Sequence, residues 1–256
     1  MRDNQLTGAS DMNDTYLTPP RNSKLMKEDV GILEGDVDRE ALFRQWKVSD
    51  TQVKTIDLSN SYGGHGGRYC AIIDGFLTPE ECSLLVDLVE QKEWEAALLN
   101  ETKIEDIRKS KRVMIDDTAL ADLLYQRILL ALGVPDGAPR VMYNKLATRM
   151  NNRFRFLKYT EGDYFKTHMD GSYQTPDGKE RSMLTVQLYL NDGDGVDCTG
   201  GETNMYEPDS QTLLYPVVPK TGRCLLFDHR TLHEGALVSS GVKYAVRNDL
   251  MYDLST

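Results

Sequence analysis

The stretch SMLTVQLYL, residues 182–190, alternates apolar and polar side chains with the period of an extended chain. On a strand, one face would carry Leu184, Val186, Leu188 and Leu190, and the other Thr185, Gln187 and Tyr189. A strand with one oily face and one face of functional groups is typical of a sheet that packs on a core and opens on a site. This stretch therefore predicts a mainly β fold.

Further β-type runs surround this strand, separated by clusters of glycine, aspartate and proline. They are RFRFLKY (153–159), ETNMYE (202–207), CLLFD (224–228) and VKYAVRNDLMY (242–252). Several short strands divided by turn residues predict a β-sandwich or barrel, and the polar face of residues 182–190 predicts that it has a polar mouth.

Two helices are predicted ahead of these strands. Thr78 is followed by Pro79 and by Glu81 three positions later, which is the signature of a capping box, and an apolar helical pattern comes next. A second helix is predicted over 118–132, where leucines recur at helical spacing before Gly133. We expect both helices to buttress the sheet, so the fold class is mainly β with flanking α-helices.

The N-terminal part of the chain has a different composition. Residues 1–58 are polar and charged without sustained periodicity, so we predict a flexible N-terminal segment there. The Gly-rich run that starts at residue 59 leads into RYCAIIDGFL (68–77), a β-type run. The division is therefore a segment at 1–58 and one folded domain at 59–256.

The overall charge limits the classes of partner. The chain has 30 Lys and Arg against 40 Asp and Glu, a formal net charge of −10, which disfavours nucleic acid. It shows neither the apolar core of a signal peptide nor a run long enough to cross a membrane, so we expect no membrane partner and a cytoplasmic or nuclear location. The 4 cysteines form no C-x-x-C pair and are expected to be reduced thiols.

A metal site is suggested by the run YFKTHMDGS, in which His168 and Asp170 are separated by one residue. On an extended chain both side chains point the same way and can reach one ion. An H-x-D pair on its own arises often by chance. His233, which follows the apolar strand CLLFD and a turn, offers the third ligand of a set that suits iron(II).

Zinc hydrolases use similar ligands, so a further residue has to distinguish an iron(II) enzyme from a zinc hydrolase. Lys243 lies on the strand after His233 and could pair with the far carboxylate of a dicarboxylate co-substrate. A lysine on a strand is otherwise more often solvated.

The ordered set of motifs resembles the prolyl 4-hydroxylase-like branch of the 2-oxoglutarate/iron(II) dioxygenase superfamily. The motifs are DGFLTPEEC (74–82), RFLKYTEGDYFKTHMD (155–170), LTVQLYLND (184–192), GGET (200–203), PKTGRCLLFDH (219–229) and LHEG (232–235). The resemblance implies a double-stranded β-helix, or jelly roll. It also implies Fe(II) as the metal, with 2-oxoglutarate and O₂ as co-substrates and ascorbate as a candidate reductant.

Residue roles follow from the resemblance by position. His168, Asp170 and His233 match the catalytic metal ligands, and Lys243 matches the anchor of the co-substrate. Tyr189 matches a tyrosine that bonds the same distal carboxylate, Tyr159 lies where that branch often has a tyrosine in contact with the co-substrate, and Thr203 is expected to face the pocket. Phe165 departs from the pattern, since related enzymes often carry tyrosine there.

Substrate contacts are predicted only at the polar mouth of the β fold. Arg247 shares a strand face with Lys243, so it points either toward the iron or toward the structural acid Asp249. Residues 171–181, with Tyr173 and Gln174, form either a solvated hairpin or a loop that closes over substrate.

The two remaining histidines are not predicted to be ligands. His65 lies in the Gly-rich run and is expected to be a loop residue, and His229 is expected either behind the metal ligands or at the surface.

Three functions stay open at this point. The leading one is hydroxylation of a prolyl or other side chain of a protein, with release of succinate and CO₂. The second is hydroxylation of a free amino acid or other small molecule by the same machinery. The third is a jelly-roll binding module without catalysis.

Overall fold

The computed structural model describes residues 32–33, 37–58, 68–97, 107–133 and 141–255. The helices are α1 (Val37–Phe43), α2 (Pro79–Glu90) and α3 (Thr118–Leu132), with a 3-10 turn at Val48–Asp50. The first strands are β1 (Gln52–Thr55), β2 (Cys70–Asp74), β3 (Glu95–Ala96), β4 (Arg108–Lys109), β5 (Lys111–Asp116), β6 (Val141–Met142), β7 (Lys145–Met150) and β8 (Arg153–Thr160). The later strands are β9 (Tyr164–His168), β10 (Glu180–Tyr189), β11 (Cys198–Gly200), β12 (Thr203–Tyr206), β13 (Leu213–Val217), β14 (Cys224–Asp228), β15 (His233–Gly235) and β16 (Val238–Asp253).

The strands form two sheets. The larger has the order β1-β2-β14-β10-β16-β8-β5-β3, with β7 and β11 also on β16 and β6 on β7. The smaller has the order β13-β12-β15-β9-β4. Neighbouring strands are antiparallel, and several pairs join distant parts of the chain. This two-sheet arrangement confirms the predicted jelly roll.

Strand β10 shows why the sheet has one oily and one polar face. Leu184, Val186 and Leu188 are fully buried in the main hydrophobic core. The alternate side chains, among them Thr185 and Gln187, face the smaller sheet, where Gln187 lines a pocket. The alternation read from residues 182–190 is therefore confirmed.

The two predicted helices are also confirmed. Helix α2 begins with the expected capping box, in which Thr78 and Glu81 cap each other's backbone N–H groups. Helix α3 is capped by Asp117, one residue ahead of the predicted start, and ends at Gly133 in the left-handed conformation with φ +60°. Their apolar faces join the core of the larger sheet. None of the helices in the described ranges is long and apolar enough to cross a membrane.

Part of the N-terminal segment packs on the domain. Leu33 and Phe43 are buried in the main core, and β1 pairs with β2. The polar composition of residues 1–58 gives little sign of these few apolar contacts, and the flexibility of the segment as a whole stays a prediction. Residues 1–31 and the Gly-rich run with His65 lie outside the described residues, and the boundary at residue 59 stays a prediction.

Candidate active site

Three predicted ligands meet at one end of the smaller sheet. His168 closes β9 and His233 opens β15, and the two residues are direct partners across these antiparallel strands. Asp170 follows two residues after His168, and the ligand atoms of all three side chains lie within 4.8 Å of one another. Their separation suits a single metal ion between them.

Hydrogen bonds fix which nitrogen of each imidazole faces the others. His168 Nδ1 donates to the carbonyl of Lys166 at 2.7 Å, and His233 Nδ1 donates to the carbonyl of Thr231 at 2.9 Å. The Nε2 lone pairs are therefore left free for a metal. These Nε2 atoms lie 3.7 and 3.8 Å from the carboxylate oxygens of Asp170.

The charge states also fit a metal. Burial lowers the pKa of His233 to about 4, so the ring is neutral at pH 7. Burial raises the pKa of Asp170, but the cationic Arg247 and the two histidines outweigh it and hold that pKa well below its usual range. Imidazole nitrogens and an ionised carboxylate are a donor set that divalent iron accepts.

Two further side chains hold the Asp170 carboxylate in place. Thr185 donates its hydroxyl to Asp170 Oδ2 at 2.5 Å, and Arg247 Nη2 lies 3.3 Å from Oδ1. Arg247 also lies 3.3 Å from Asp249 Oδ1, so both partners considered for it from the sequence are within reach. His229 is buried behind this layer, with Nδ1 2.9 Å from Thr185 Oγ1, rather than at the surface.

The ligands open into a pocket that runs inward to Lys243. Lys243 and Thr203 line it, as do the apolar side chains of Leu157, Phe165 and Phe227. Lys243 is only 3% exposed, and burial lowers its pKa to about 8. No carboxylate of the described residues forms an ion pair with Lys243, so this buried lysine is suited to a negatively charged ligand.

The GGET motif positions this lysine. Gly201 has φ +75°, a conformation that other residues rarely adopt, and a Cβ there would lie 3.1 Å from Lys243 Cδ, so a larger residue would be strained and would push on the lysine side chain. The Gly201 carbonyl accepts a hydrogen bond from Lys243 Nζ at 2.5 Å. The lysine is thus held with its ammonium group in the pocket.

Tyr159 and Thr203 both line the pocket, as expected, and Lys243 Nζ lies 5.2 Å from the Tyr159 ring centre. Tyr189 is fully buried, and its hydroxyl donates to Thr203 Oγ1 at 2.7 Å. It stands behind Thr203 and is not a lining residue. Its contact with a co-substrate carboxylate therefore stays a prediction.

The loop after the ligands forms a hairpin. The backbone N–H of Tyr173 donates to Ser182 Oγ at 2.8 Å, and Gln174 forms a bridge with Arg181. The Tyr173 side chain is 39% exposed, and neither Tyr173 nor Gln174 lines the pocket. Their contact with a substrate stays a prediction.

Sequence reasoning missed Arg108 as a site residue. Arg108 lines the pocket, and its guanidinium carbon lies 4.6 Å from the ring centre of Phe165, which itself stacks on His168. The basic run RKSKR at 108–112 was the available signal, but nothing in it indicates that β4 pairs with β9.

The comparisons with known proteins agree with this geometry. Residues 154–248, which contain the three ligands and Lys243, match the model of the 2OG-Fe(II) oxygenase superfamily. The chain matches no curated protein.

Two solved structures show the fold. A prolyl-4-hydroxylase from Pseudomonas putida is 17% identical, covers 83% of this chain and 98% of its own, and superposes with a TM-score of 0.50. A prolyl hydroxylase from Trichoplax adhaerens, in complex with a peptide fragment of the hypoxia inducible factor oxygen degradation domain, is 21% identical. It covers 88% of this chain and 99% of its own, with a TM-score of 0.55. The match over residues 154–248 identifies a 2OG-Fe(II) oxygenase domain in this chain, a 2-oxoglutarate-dependent dioxygenase with the fold of the prolyl hydroxylases.

Proposed function

We propose that this dioxygenase hydroxylates a C–H bond in a prolyl or other side chain of a protein, with release of succinate and CO₂. The observation that carries the proposal is the meeting of His168, Asp170 and His233 with the buried Lys243 in one pocket. A binding module without catalysis has no need of both a complete ligand set and a co-substrate anchor.

Each side chain has a definite task in this reaction. His168, Asp170 and His233 would hold Fe(II), which supplies the activation of O₂ by electrons from 2-oxoglutarate. Lys243 pairs its ammonium group with the distal carboxylate of 2-oxoglutarate. Phe165, Leu157 and Phe227 give the pocket an apolar lining that excludes water from the reacting groups.

A protein substrate is supported by one of the structural neighbours. The prolyl hydroxylase from Trichoplax adhaerens was solved with a peptide fragment bound. The present chain covers nearly all of that structure. We therefore place a polypeptide ahead of a free amino acid or another small molecule as the substrate.

The test is incubation of the pure protein with Fe(II), 2-oxoglutarate, ¹⁸O₂ and a cell extract, followed by mass spectrometry of proteins and metabolites. We expect ¹⁸O in a side chain of one or a few proteins and an equal amount of succinate. His233→Ala should give neither product, because it removes one of the three proposed ligands. Lys179→Ala, a change on the exposed hairpin, is the control and should give both.

Two outcomes would contradict the proposal. Label found only in a free amino acid or another metabolite would replace the protein substrate with a small one. Iron-dependent turnover that His233→Ala leaves intact would remove the ligand assignment itself.

A further inference from the structure

Three arginines lie close together beside the pocket. They are Arg108 on β4, Arg112 on β5 and Arg155 on β8, and we call this group the cationic wall. The chain has a formal net charge of −10, so a cluster of this sign is not a consequence of its composition. The wall needs a separate explanation.

The strand register shows that the wall faces the pocket. Arg112 is the direct partner of Leu157, and Arg155 is the direct partner of Arg247. Leu157 and Arg247 line the pocket, and paired residues on neighbouring strands point to the same side of a sheet. Arg108 comes from the smaller sheet and lines the same pocket.

The acids around the wall leave part of its charge unpaired. Arg155 Nη1 pairs with Asp249 at 3.0 Å, but Asp249 is shared with Arg247. Arg108 Nε donates to the neutral Ser110 Oγ at 3.0 Å. Each of these two arginines thus brings more positive charge than its described partners cancel.

Arg112 is the least satisfied member of the wall. Its Nε is buried and has no hydrogen-bond partner among the described residues. Burial, followed by repulsion from Arg108 and Arg155, lowers the pKa of Arg112, and Glu95 across the strand pair opposes this effect only in part. A guanidinium in this state favours an incoming carboxylate, which it can bind through two parallel N–H groups.

The spacing of the strands favours a peptide as the source of that carboxylate. Arg247, beside the ligand Asp170, is on β16, and Arg112 is two strands away on β5. Strands are about 4.8 Å apart, and Arg112 is also displaced by two residues along the strands from the position in line with Arg247, so the two residues lie about 12 Å apart on the sheet. An extended peptide advances about 3.3 Å per residue, so an acidic residue about three or four positions from the reacting residue would reach the wall.

We propose that the cationic wall binds an aspartate or glutamate side chain of the protein substrate, so that the enzyme selects acidic segments. This inference rests on the proposed function, because the wall is assigned to the substrate of that same pocket. It adds the charge of the substrate, which neither the family nor the fold specifies.

Two peptide pools make the inference testable without a known substrate. Both contain 13-residue peptides with a central proline among serine and glycine; the acidic pool adds Asp and Glu, and the amide pool adds Asn and Gln. Binding is measured by fluorescence anisotropy to protein loaded with Mn(II) and 2-oxoglutarate in the absence of oxygen. We expect the acidic pool to bind at least about tenfold more tightly, and the difference to shrink in high salt.

Reversing the charge of single residues tests whether Arg112 is responsible for the preference for the acidic pool. Arg112→Glu should abolish the preference for the acidic pool, while Lys111→Glu makes the same change of charge on the neighbouring, exposed position of β5 and should keep it. Binding of 2-oxoglutarate, measured on both variants, checks that the pocket is folded. Equal binding of the two pools by the wild-type protein, or an acidic preference that Arg112→Glu retains, would overturn the inference.

The remaining outcomes separate this inference from the proposed function. Acidic preference in binding without hydroxylation, after Fe(II) and O₂ are supplied, keeps the wall and rejects the reaction. Hydroxylation with equal use of both pools keeps the reaction and rejects the wall. A preference that appears only when Glu101, Glu105 and Asp106 are changed to amides would assign the wall to the chain's own acidic segment and overturn the inference.

Discussion

The Thr185 hydroxyl donates to Asp170 Oδ2 across 2.5 Å, which joins the sheet face of β10 to a proposed metal ligand. A hydroxyl has one proton, so the contact of Thr185 Oγ1 with His229 Nδ1 requires the histidine to be the donor. His229 Nε2 then accepts from Ser182 Oγ at 3.0 Å, and Ser182 Oγ accepts from the backbone N–H of Tyr173. A directed chain of hydrogen bonds thus runs from the hairpin to Asp170.

The first prediction concerns the donor to Asp170. Thr185→Val keeps the shape of the side chain and removes the hydroxyl, so we expect the affinity for Fe(II) or Mn(II) to fall by about 10- to 100-fold. Thr185→Ser keeps the donor and should stay close to wild type. Anaerobic calorimetry gives both affinities, and equal metal binding by the valine and serine variants would show that Thr185 does not orient the ligand.

A second prediction follows from the low pKa of Lys243, about 8. Below pH 8 the lysine of the free protein carries its proton and binds the distal carboxylate of 2-oxoglutarate at full strength. Above pH 8 the free lysine is neutral, so binding must take up a proton and the Kd should rise by up to about tenfold per pH unit.

Pyruvate provides the control for this pH dependence, because it lacks the distal carboxylate. Its Kd should not show the added slope above pH 8. Titrations from pH 6 to pH 9.5, with Mn(II) and without oxygen, compare the two ligands. If the Kd values of the two ligands depended on pH in the same way, Lys243 would be a structural residue and not the anchor of the co-substrate.

The third prediction tests the hairpin as a substrate lid. Replacement of both Tyr173 and Gln174 by alanine removes exposed side chains that do not line the pocket, so the co-substrate site should be untouched. We expect the ratio of hydroxylated product to succinate to fall severalfold, while succinate formed without substrate stays constant. Lys179→Ala, on the same hairpin, should keep the ratio, and a ratio unchanged in the double variant would leave the hairpin without a part in substrate binding.

The fourth prediction concerns the buried arginine that joins the N-terminal segment to the domain. Arg127 is 3% exposed and pairs with Glu81 through contacts of 2.6 and 2.9 Å. It also donates to the carbonyl of Phe43. Arg127→Met leaves Glu81 charged and buried without its partner, so we expect a loss of about 3 to 5 kcal/mol in the free energy of unfolding.

An exposed pair supplies the control for this prediction. Arg153 and Asp116 lie 2.7 Å apart with side chains that are 49% and 48% exposed. Arg153→Met should therefore cost at most about 1 kcal/mol. Urea unfolding measures both variants, and a similar loss in the two would mean that burial does not set the value of the Arg127 pair.

The sequence was sufficient for the features that depend on local spacing. The alternation along β10, the capping box at Thr78 and the H-x-D spacing of His168 and Asp170 each need only a few neighbouring residues. The distant partners His233 and Lys243 were proposed from the strands on which they lie, and the family motifs then matched the same two residues by position.

Features that depend on contacts between distant strands could not be predicted from the sequence. Arg108 enters the pocket because β4 pairs with β9, and Tyr189 stands behind Thr203 because of the way the two sheets pack. Leu33 and Phe43 are buried although their surroundings in the sequence are polar. In each case the tertiary structure, rather than the local composition, decides the outcome.

The direct pairing of His168 with His233 determines how early during folding the protein can retain iron. β9 and β15 are brought together only when long intervening segments have folded, and such distant strand pairs form slowly. A slip of one residue in their register would turn His233 to the opposite face. A chain that ends before residue 233 holds only the pair His168 and Asp170, which is too few ligands to retain the metal. We therefore expect the nascent protein to be protected from its own oxidative chemistry, because the proposed iron site closes only when β15 has paired with β9.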